Sequence, residues 1–164
     1  MKKVLLTLAF GSLFAVSCSS VKKAESAQTS RAEFLKMKGD WEITSVNYEK
    51  GFQVKPFDEG ADAQCFVGSH WRLIPNNYSG AYTIKGGGNC PTVTQPIKFE
   101  VTKDNEFKFK KLVEDTKAKN VTAGYILQIE KQDTDNFTLV QSVPFEGNVI
   151  KVYYNFVRTG MEQK

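Results

Sequence analysis

From residue 40 to residue 158 the chain alternates apolar and polar residues with a period of two, the pattern of strands that bury one face. In the clearest case, Ile97, Phe99 and Val101 alternate with polar residues, and Phe107 and Phe109 repeat the scheme. Residues 103–106 between these runs are turn formers, so the two runs predict a β-hairpin. Similar runs predict eight strands in all, over residues 40–48, 66–74, 80–84, 97–102, 107–110, 122–131, 137–143 and 149–158.

The connections between these runs determine the sheet topology. Most are short and rich in Asn, Asp and Gly, and none offers the helical crossover that parallel strands need. The sheet is therefore antiparallel, and one apolar face without a long helix leaves two solutions, a sandwich or an up-and-down barrel. Before the first strand, residues 31–38 carry enough apolar positions for a short helix, which Gly39 ends.

The first 18 residues have a different pattern. Two lysines precede an apolar run that is too short to span a bilayer, and small residues then lead to Cys18, as in a secretory signal peptide. The ending Phe14-Ala-Val-Ser-Cys18 resembles a bacterial lipobox, which implies that Cys18 becomes the acylated first residue of the mature protein. Its acyl chains would anchor the protein permanently to a membrane. The alternative is cleavage by the ordinary signal peptidase, which would leave Cys18 as a free thiol.

The residues after Cys18 indicate the domain organisation and the location. Ser19 stands where an aspartate would mark retention at the inner membrane, which favours the outer membrane of a Gram-negative cell. No acidic cluster follows the cysteine, which favours a domain that faces the periplasm. Residues 19–30 are small and polar without apolar periodicity. We therefore predict a signal peptide at 1–17, a lipidated flexible tether at 18–30 and a folded domain at 31–164.

Size, charge and cysteine content narrow the class of protein. Removal of the 17-residue signal peptide leaves about 147 residues, which suits one domain with one core. The loss of two lysines with that peptide lowers the formal net charge from +4 to +2, so there is no electrostatic case for nucleic-acid binding. Cys65 and Cys90 then remain, and a cysteine pair in an oxidising compartment predicts a disulfide. A metal or redox pair is the alternative, although the spacing is long and the chain holds one histidine.

The entrance of the first strand carries a family motif. Gly39-Asp-Trp41, together with Arg158 near the end of the last strand, resembles the Gly-x-Trp motif and the arginine of the lipocalin family. The resemblance implies a closed barrel in which the first and last strands are neighbours and the arginine lies across the tryptophan ring at the base. The order of short motifs is also similar to that in lipocalin-like domains of bacterial lipoproteins: 35–41, 65–77, 79–84, Cys90, 124–125 and 145–147. The predicted fold is therefore an all-β, eight-stranded, antiparallel up-and-down barrel, lipocalin-like, with a short N-terminal helix.

The sequence offers little chemistry for catalysis. His70 is the lone histidine, and alternation with Trp71 places it on the outer face of its strand. The chain has no Gly-x-Ser-x-Gly elbow and no usual zinc ligand set. Residues 86–88 are three glycines, but no Gly-Lys-Ser/Thr or helix follows as in a phosphate loop. We therefore expect no enzyme activity, no cofactor and no metal.

Binding has better support than catalysis. A small antiparallel barrel can hold one small ligand, or its own side chains can fill it. The first hypothesis is a monomeric, membrane-anchored barrel that binds a fatty acid or another small apolar ligand. The second is a non-enzymatic accessory protein with a filled barrel, whose long connection at 51–64 binds a protein or glycan partner. The inward-facing residues that could line a ligand pocket are Trp71, Tyr82, Phe99, Phe109, Tyr125 and Tyr154.

Overall fold

A computed structural model of the chain describes residues 31–49, 51–113, 121 and 123–160. The predicted signal peptide, Cys18 and the predicted tether lie outside these residues. Residues 31–36 form a short helix, and no helix in the described part of the chain is long and apolar enough to cross a membrane. The eight strands among the described residues are β1 (Gly39–Asn47), β2 (His70–Ile74), β3 (Ser79–Gly87), β4 (Cys90–Val101), β5 (Glu106–Lys111), β6 (Tyr125–Gln132), β7 (Asn136–Phe145) and β8 (Asn148–Gly160).

The strands form a closed barrel. They pair in chain order, each pair is antiparallel, and β8 returns to pair with β1, where Trp41 lies opposite Arg158. The predicted eight-stranded up-and-down barrel is therefore confirmed, and the sandwich is excluded. Closure satisfies the backbone of β1 on both sides, which an open sheet of the same strands would leave unpaired at its edges.

The two ends of the barrel differ because the strands alternate in direction. The helix, Gly39 and the β2–β3, β4–β5 and β6–β7 connections lie at one end, which we call the base. The β1–β2, β3–β4, β5–β6 and β7–β8 connections lie at the other end, which we call the mouth. Between the ends, the inward faces of the strands form the core, and its largest fully buried side chains include Trp41, Trp71, Tyr82, Phe107, Phe109, Phe137 and Tyr154.

The sequence pattern misplaces the start of the second strand. Residues Ala63–Phe66 form a turn of 3-10 helix, and β2 begins at His70 rather than at residue 66. Asp62 caps this turn by accepting a hydrogen bond from the backbone N–H of Gln64 at 2.8 Å. This turn places the consecutive residues Cys65 and Phe66 both in the core. β6 similarly begins at Tyr125, and not at the predicted residue 122, which lies outside the described residues.

Candidate functional site

The base of the barrel is closed by Trp41 and Arg158. The Trp41 side chain is fully buried, and its indole N–H donates a hydrogen bond to the Met37 carbonyl at 2.9 Å. The Arg158 guanidinium lies over the indole ring, 4.1 Å from its centroid. It also donates hydrogen bonds to the carbonyls of Lys38 at 2.6 Å, Lys36 at 2.8 Å and Thr134 at 2.7 Å. One side chain thus joins the helix, the β6–β7 turn and the first strand.

Gly39 makes this close approach possible. Its φ of 134° lies in a region that favours glycine. A Cβ atom at residue 39 would lie 2.6 Å from an Arg158 nitrogen and 2.8 Å from the Gly160 carbonyl oxygen. Gly39, Trp41 and Arg158 therefore lie together, as the family resemblance implies, and their contacts belong to the base rather than to the mouth.

The six candidate ligand residues all face the barrel interior. Trp71, Tyr82, Phe99, Phe109 and Tyr154 are buried, and Tyr125 is partly buried. Trp71 stacks on Tyr82 with 4.7 Å between ring centroids, and Phe109 lies 5.0 Å from Tyr125. The structure therefore brings the predicted residues into one apolar cluster.

Two phenylalanines of the β1–β2 connection fill the middle of this cluster. Phe57 is 3% exposed and Phe66 is 0% exposed, although neither belongs to a barrel strand. The Phe57 ring lies 5.1 Å from Phe109, 5.4 Å from Tyr125 and 5.6 Å from Tyr154. We call residues 51–66 the plug segment, because it folds into the mouth and occupies the space between the predicted ligand residues. The alternative hypothesis places a partner-binding surface at residues 51–64. The packing is unfavourable to an apolar surface there, because it buries apolar residues of the segment such as Val54, Phe57 and Ala61.

Polar contacts hold the plug segment against the barrel wall. The Asp58 carboxylate accepts a hydrogen bond from the Tyr125 hydroxyl at 2.6 Å. The Oε1 atom of Glu59 accepts a hydrogen bond from the Tyr82 hydroxyl, and the Lys111 ammonium lies 2.6 Å from the same oxygen. The Glu59 and Lys111 side chains are only 8% and 20% exposed, so this ion pair is largely shielded from water.

The tyrosine hydroxyls of the interior remain protonated donors. Burial raises the pKa of Tyr82 well above its ordinary value, and the hydrogen bond to Glu59 raises it further. Burial likewise raises the pKa of Tyr125, with a further contribution from Asp58. Burial also raises the pKa of Tyr154, and its hydroxyl donates to Gln141 at 2.9 Å. At neutral pH these groups therefore offer O–H donors to a carboxylate or a carbonyl.

Sequence reasoning missed Lys111, which is the charged residue on the interior face of β5. The structure pairs Lys111 with the buried Ile97 and places it two residues beyond Phe109, so strand alternation directs it inward. That signal is present in the sequence as a second consecutive lysine at the end of an alternating run. Asp58 and Glu59 were also missed, because nothing in their local pattern indicates that Glu59 is largely buried or that the exposed Asp58 accepts from Tyr125.

The plug segment has a strained backbone near its middle and is covalently fixed near its C-terminal end. Phe57 and Asp58 have φ values of 58° and 53°, in the left-handed region that non-glycine residues adopt at a cost of about 1–3 kcal/mol each. Cys65 is bonded to Cys90 at the start of β4, which confirms the predicted disulfide. The disulfide therefore ties the C-terminal end of the segment to the barrel wall.

Two cavities border the barrel. A cavity of about 290 Å³ opens at the mouth between the plug segment and the β7–β8 hairpin, lined in part by Val54, Gln141, Val143 and Ile150. A larger groove of about 580 Å³ involves the outward residues Lys98, Lys108, Lys110 and Ile126 of β4–β6, with edges of Phe99, Phe109 and Tyr125. The mouth cavity has the smaller volume, near the lower limit of known ligand pockets, and none of the six candidate ligand residues lines it. The larger groove touches three of them, Phe99, Phe109 and Tyr125.

His70 lies away from the interior cluster. It faces outward on β2, and its Nε2 atom is 3.4 Å from an Asp40 carboxylate oxygen. No group of three or more His, Cys, Asp and Glu side chains that could hold a metal ion occurs within the described ranges.

Comparisons with known proteins give limited similarity. No protein-family model matches the sequence, and no curated protein sequence matches it. A solved structure of bovine odorant binding protein in complex with a selenium-containing odorant matches with a TM-score of 0.43 and 11% sequence identity, over 79% of this chain and 74% of that one. A deswapped triple mutant of bovine odorant binding protein matches with a TM-score of 0.39 and 13% identity, over 75% of this chain and 74% of that one.

Proposed function

We propose that this protein is a lipid-anchored barrel of the outer membrane that binds a small apolar ligand in its interior. One observation carries the proposal. The space between the predicted ligand residues is filled by Phe57 and Phe66, which come from a connection and not from the barrel strands. The eight strands thus enclose apolar room that their own side chains do not occupy. A cavity of about 290 Å³ opens at the same end of the barrel, between the N-terminal part of the plug segment and the β7–β8 hairpin.

The free energies of burial and backbone strain bear on whether a ligand can replace Phe57 in the interior. Burial of a phenylalanine side chain contributes about 1.5–3 kcal/mol, and an apolar ligand would replace that contribution when Phe57 leaves the interior. The left-handed backbone of Phe57 and Asp58 returns about 1–3 kcal/mol per residue if the segment relaxes outside the barrel. Opening also breaks the contacts of Asp58 and Glu59 with Tyr125, Tyr82 and Lys111, so a ligand must replace these polar contacts as well as the buried ring.

The anchoring part of the proposal rests on the sequence. The lipobox-like ending at Cys18 and the polar tether would place the described domain close to a membrane surface. Metabolic labelling with an alkyne fatty acid in the host tests this directly. We expect label on the natural chain and none on the Cys18→Ser variant, and an unlabelled natural chain would refute the anchor.

Native mass spectrometry of the protein purified from its host membrane tests ligand binding. We expect a co-purifying apolar molecule, and we expect apolar compounds to displace the neutral fluorophore N-phenyl-1-naphthylamine. Phe57→Ala should increase fluorophore binding, because it removes the ring that occupies the interior. Absence of both a co-purifying molecule and fluorophore binding, in the natural chain and in Phe57→Ala, would refute the proposal.

A filled barrel without a ligand is the second candidate function, and the polar contacts that hold Asp58 and Glu59 of the plug segment against the barrel wall favour it. In that case the mouth would serve as a contact surface for a protein or glycan, with the exposed Phe145 and Val149 of the β7–β8 hairpin at its rim. The two candidates differ in the response to Phe57→Ala. A filled barrel loses stability without any gain in ligand binding.

A further inference from the structure

We propose that the plug segment imitates the ligand, and that the barrel interior is a site for an amphipathic carboxylate whose head group replaces the Glu59 side chain. This inference rests on the proposed function and specifies the ligand class of the same site. The two residues that would bind the head group in place of Glu59 are Tyr82 and Lys111.

The head-group site is visible in the contacts of Glu59. The Tyr82 hydroxyl and the Lys111 ammonium converge on the same carboxylate oxygen, Oε1. A hydroxyl donor and an ammonium donor on one oxygen form a charge-assisted carboxylate site. Tyr82 and Lys111 belong to β3 and β5, so the barrel wall itself holds both donors in place.

The apolar part of the imitation is Phe57. Its backbone carbonyl accepts a hydrogen bond from Lys111 at 3.0 Å, while its ring inserts among Phe109, Tyr125 and Tyr154. Residues Phe57–Glu59 therefore combine an apolar group with carboxylates at a fixed separation. A fatty or aromatic acid has the same combination.

The charge balance favours a carboxylate over a neutral ligand. Withdrawal of Asp58 and Glu59 removes two negative charges from the mouth and leaves the Lys111 ammonium on an otherwise apolar interior face. A partly buried cation without a counter-ion is costly, and a ligand carboxylate would relieve that cost. A neutral alcohol of equal chain length would not.

The covalent structure permits the exchange. The disulfide keeps Cys65 on β4, so the barrel remains closed while residues before Cys65 leave the mouth. The left-handed conformation of Phe57 and Asp58 is relaxed when they do so. The plug segment then competes with the ligand for the site. The apparent affinity for the ligand falls in proportion to the fraction of molecules in which the segment has left the site.

Binding of dodecanoic acid and of dodecanol to the full chain purified from its host tests the inference. These probes share one alkyl chain and differ in the head group, and displacement of N-phenyl-1-naphthylamine reports both affinities. We expect tighter binding of dodecanoate. Lys111→Met should weaken dodecanoate binding by about tenfold to a hundredfold and leave dodecanol binding unchanged. Glu59→Gln should strengthen dodecanoate binding by about tenfold, because the internal carboxylate no longer competes.

Matched controls separate these effects from general damage. Lys110→Met changes the neighbouring lysine, which faces outward and donates to the Val121 carbonyl, and should not change the preference for dodecanoate. Glu49→Gln neutralises an exposed glutamate of the same connection and should not change either affinity. Lys111→Arg retains the charge and should retain the preference. Thermal unfolding of every variant verifies that it is folded.

The outcomes distinguish the inference from the function on which it rests. Binding of both probes with equal affinity, unaffected by Lys111→Met, would overturn the carboxylate site and leave the apolar-ligand function intact. Binding of neither probe by any variant, including Phe57→Ala, would overturn both. If Lys111→Met is unfolded, Glu59→Gln and Lys111→Arg test the carboxylate site instead. Weaker or unchanged dodecanoate binding by Glu59→Gln contradicts competition by Glu59, and loss of the preference for dodecanoate in Lys111→Arg contradicts the role of the Lys111 charge.

Discussion

Replacement of Arg158 by methionine is the sharpest test of how the barrel base is held. Methionine keeps much of the length and apolar volume of the arginine stem but removes the guanidinium. The substitution therefore deletes three hydrogen bonds to the carbonyls of Lys36, Lys38 and Thr134, together with the contact at 4.1 Å from the Trp41 ring centroid.

The expected loss of unfolding free energy depends on how exposed each Arg158 contact is. The bond to the Lys38 carbonyl is the more buried of the three, and a charged hydrogen bond of this kind contributes about 1.5–3 kcal/mol. Water can replace the donor at the other two carbonyls, so each of those bonds contributes about 0.5 kcal/mol. The cation–π contact adds about 1 kcal/mol, and the pair with Asp135 at 3.7 Å adds little because Asp135 is exposed. We expect Arg158→Met to lower the free energy of unfolding by about 3–5 kcal/mol.

Urea denaturation followed by tryptophan fluorescence measures this loss. With a slope of about 1–3 kcal/mol per molar urea, the midpoint should fall by roughly 2 M. Lys151→Met on the same strand is the matched control, because Lys151 is exposed, and its free energy of unfolding should change by about 0.5 kcal/mol at most. A loss below about 1 kcal/mol for Arg158→Met, or an equal loss for Lys151→Met, would refute the assignment of Arg158 as the clamp of the base.

Three further predictions concern the backbone, the disulfide and acid stability. Gly39→Ala should cost about 2–4 kcal/mol in urea denaturation, more than Gly87→Ala, whose φ of 118° gives strain without any contact within 4 Å; equal losses would contradict the close approach at residue 39. Joint replacement of Cys65 and Cys90 by serine should cost about 3 kcal/mol, and labelling of the unfolded, unreduced natural chain should find neither of these thiols free. Two backbone N–H groups in the β6–β7 turn lower the pKa of Asp133, so its stabilising effect is present at neutral pH and is lost as pH falls through that lowered pKa. Asp133→Asn should therefore flatten the acid side of the stability profile, and parallel profiles for the two proteins would contradict this.

The sequence was sufficient to predict the barrel because strand alternation is a local property. A residue two positions from a buried one shares its face, so the inward orientation of Trp71, Phe99 and Phe109 follows from spacing alone. The closed topology needed more than spacing, since alternation also fits a sandwich. The Gly39-Asp-Trp41 motif and Arg158 favoured closure through a family resemblance, and the pairing of β1 with β8 confirms the closed barrel.

The pattern failed at residues 63–69 for an equally physical reason. Residues 63–66 form a 3-10 turn capped by Asp62, and this turn directs both Cys65 and Phe66 into the core. The burial of Cys65 depends on Cys90 in a strand that is distant in sequence. The local pattern of apolar residues around Cys65 does not identify Cys90 as its partner.

The sequence by itself predicted the number and order of the strands, the inward face of each alternating run and the pairing of its two domain cysteines, because each depends on spacing or on composition. Only the tertiary structure decided what fills the interior. Phe57 and Glu59 lie on the plug segment, whereas Tyr82 and Lys111 lie on β3 and β5. Closure of the barrel brings the Tyr82 hydroxyl and the Lys111 ammonium to the carboxylate of Glu59. The position of a connection without periodicity depends on the free energy of contacts that form only after the strands have closed, and in this protein those contacts place the plug segment where a ligand would bind.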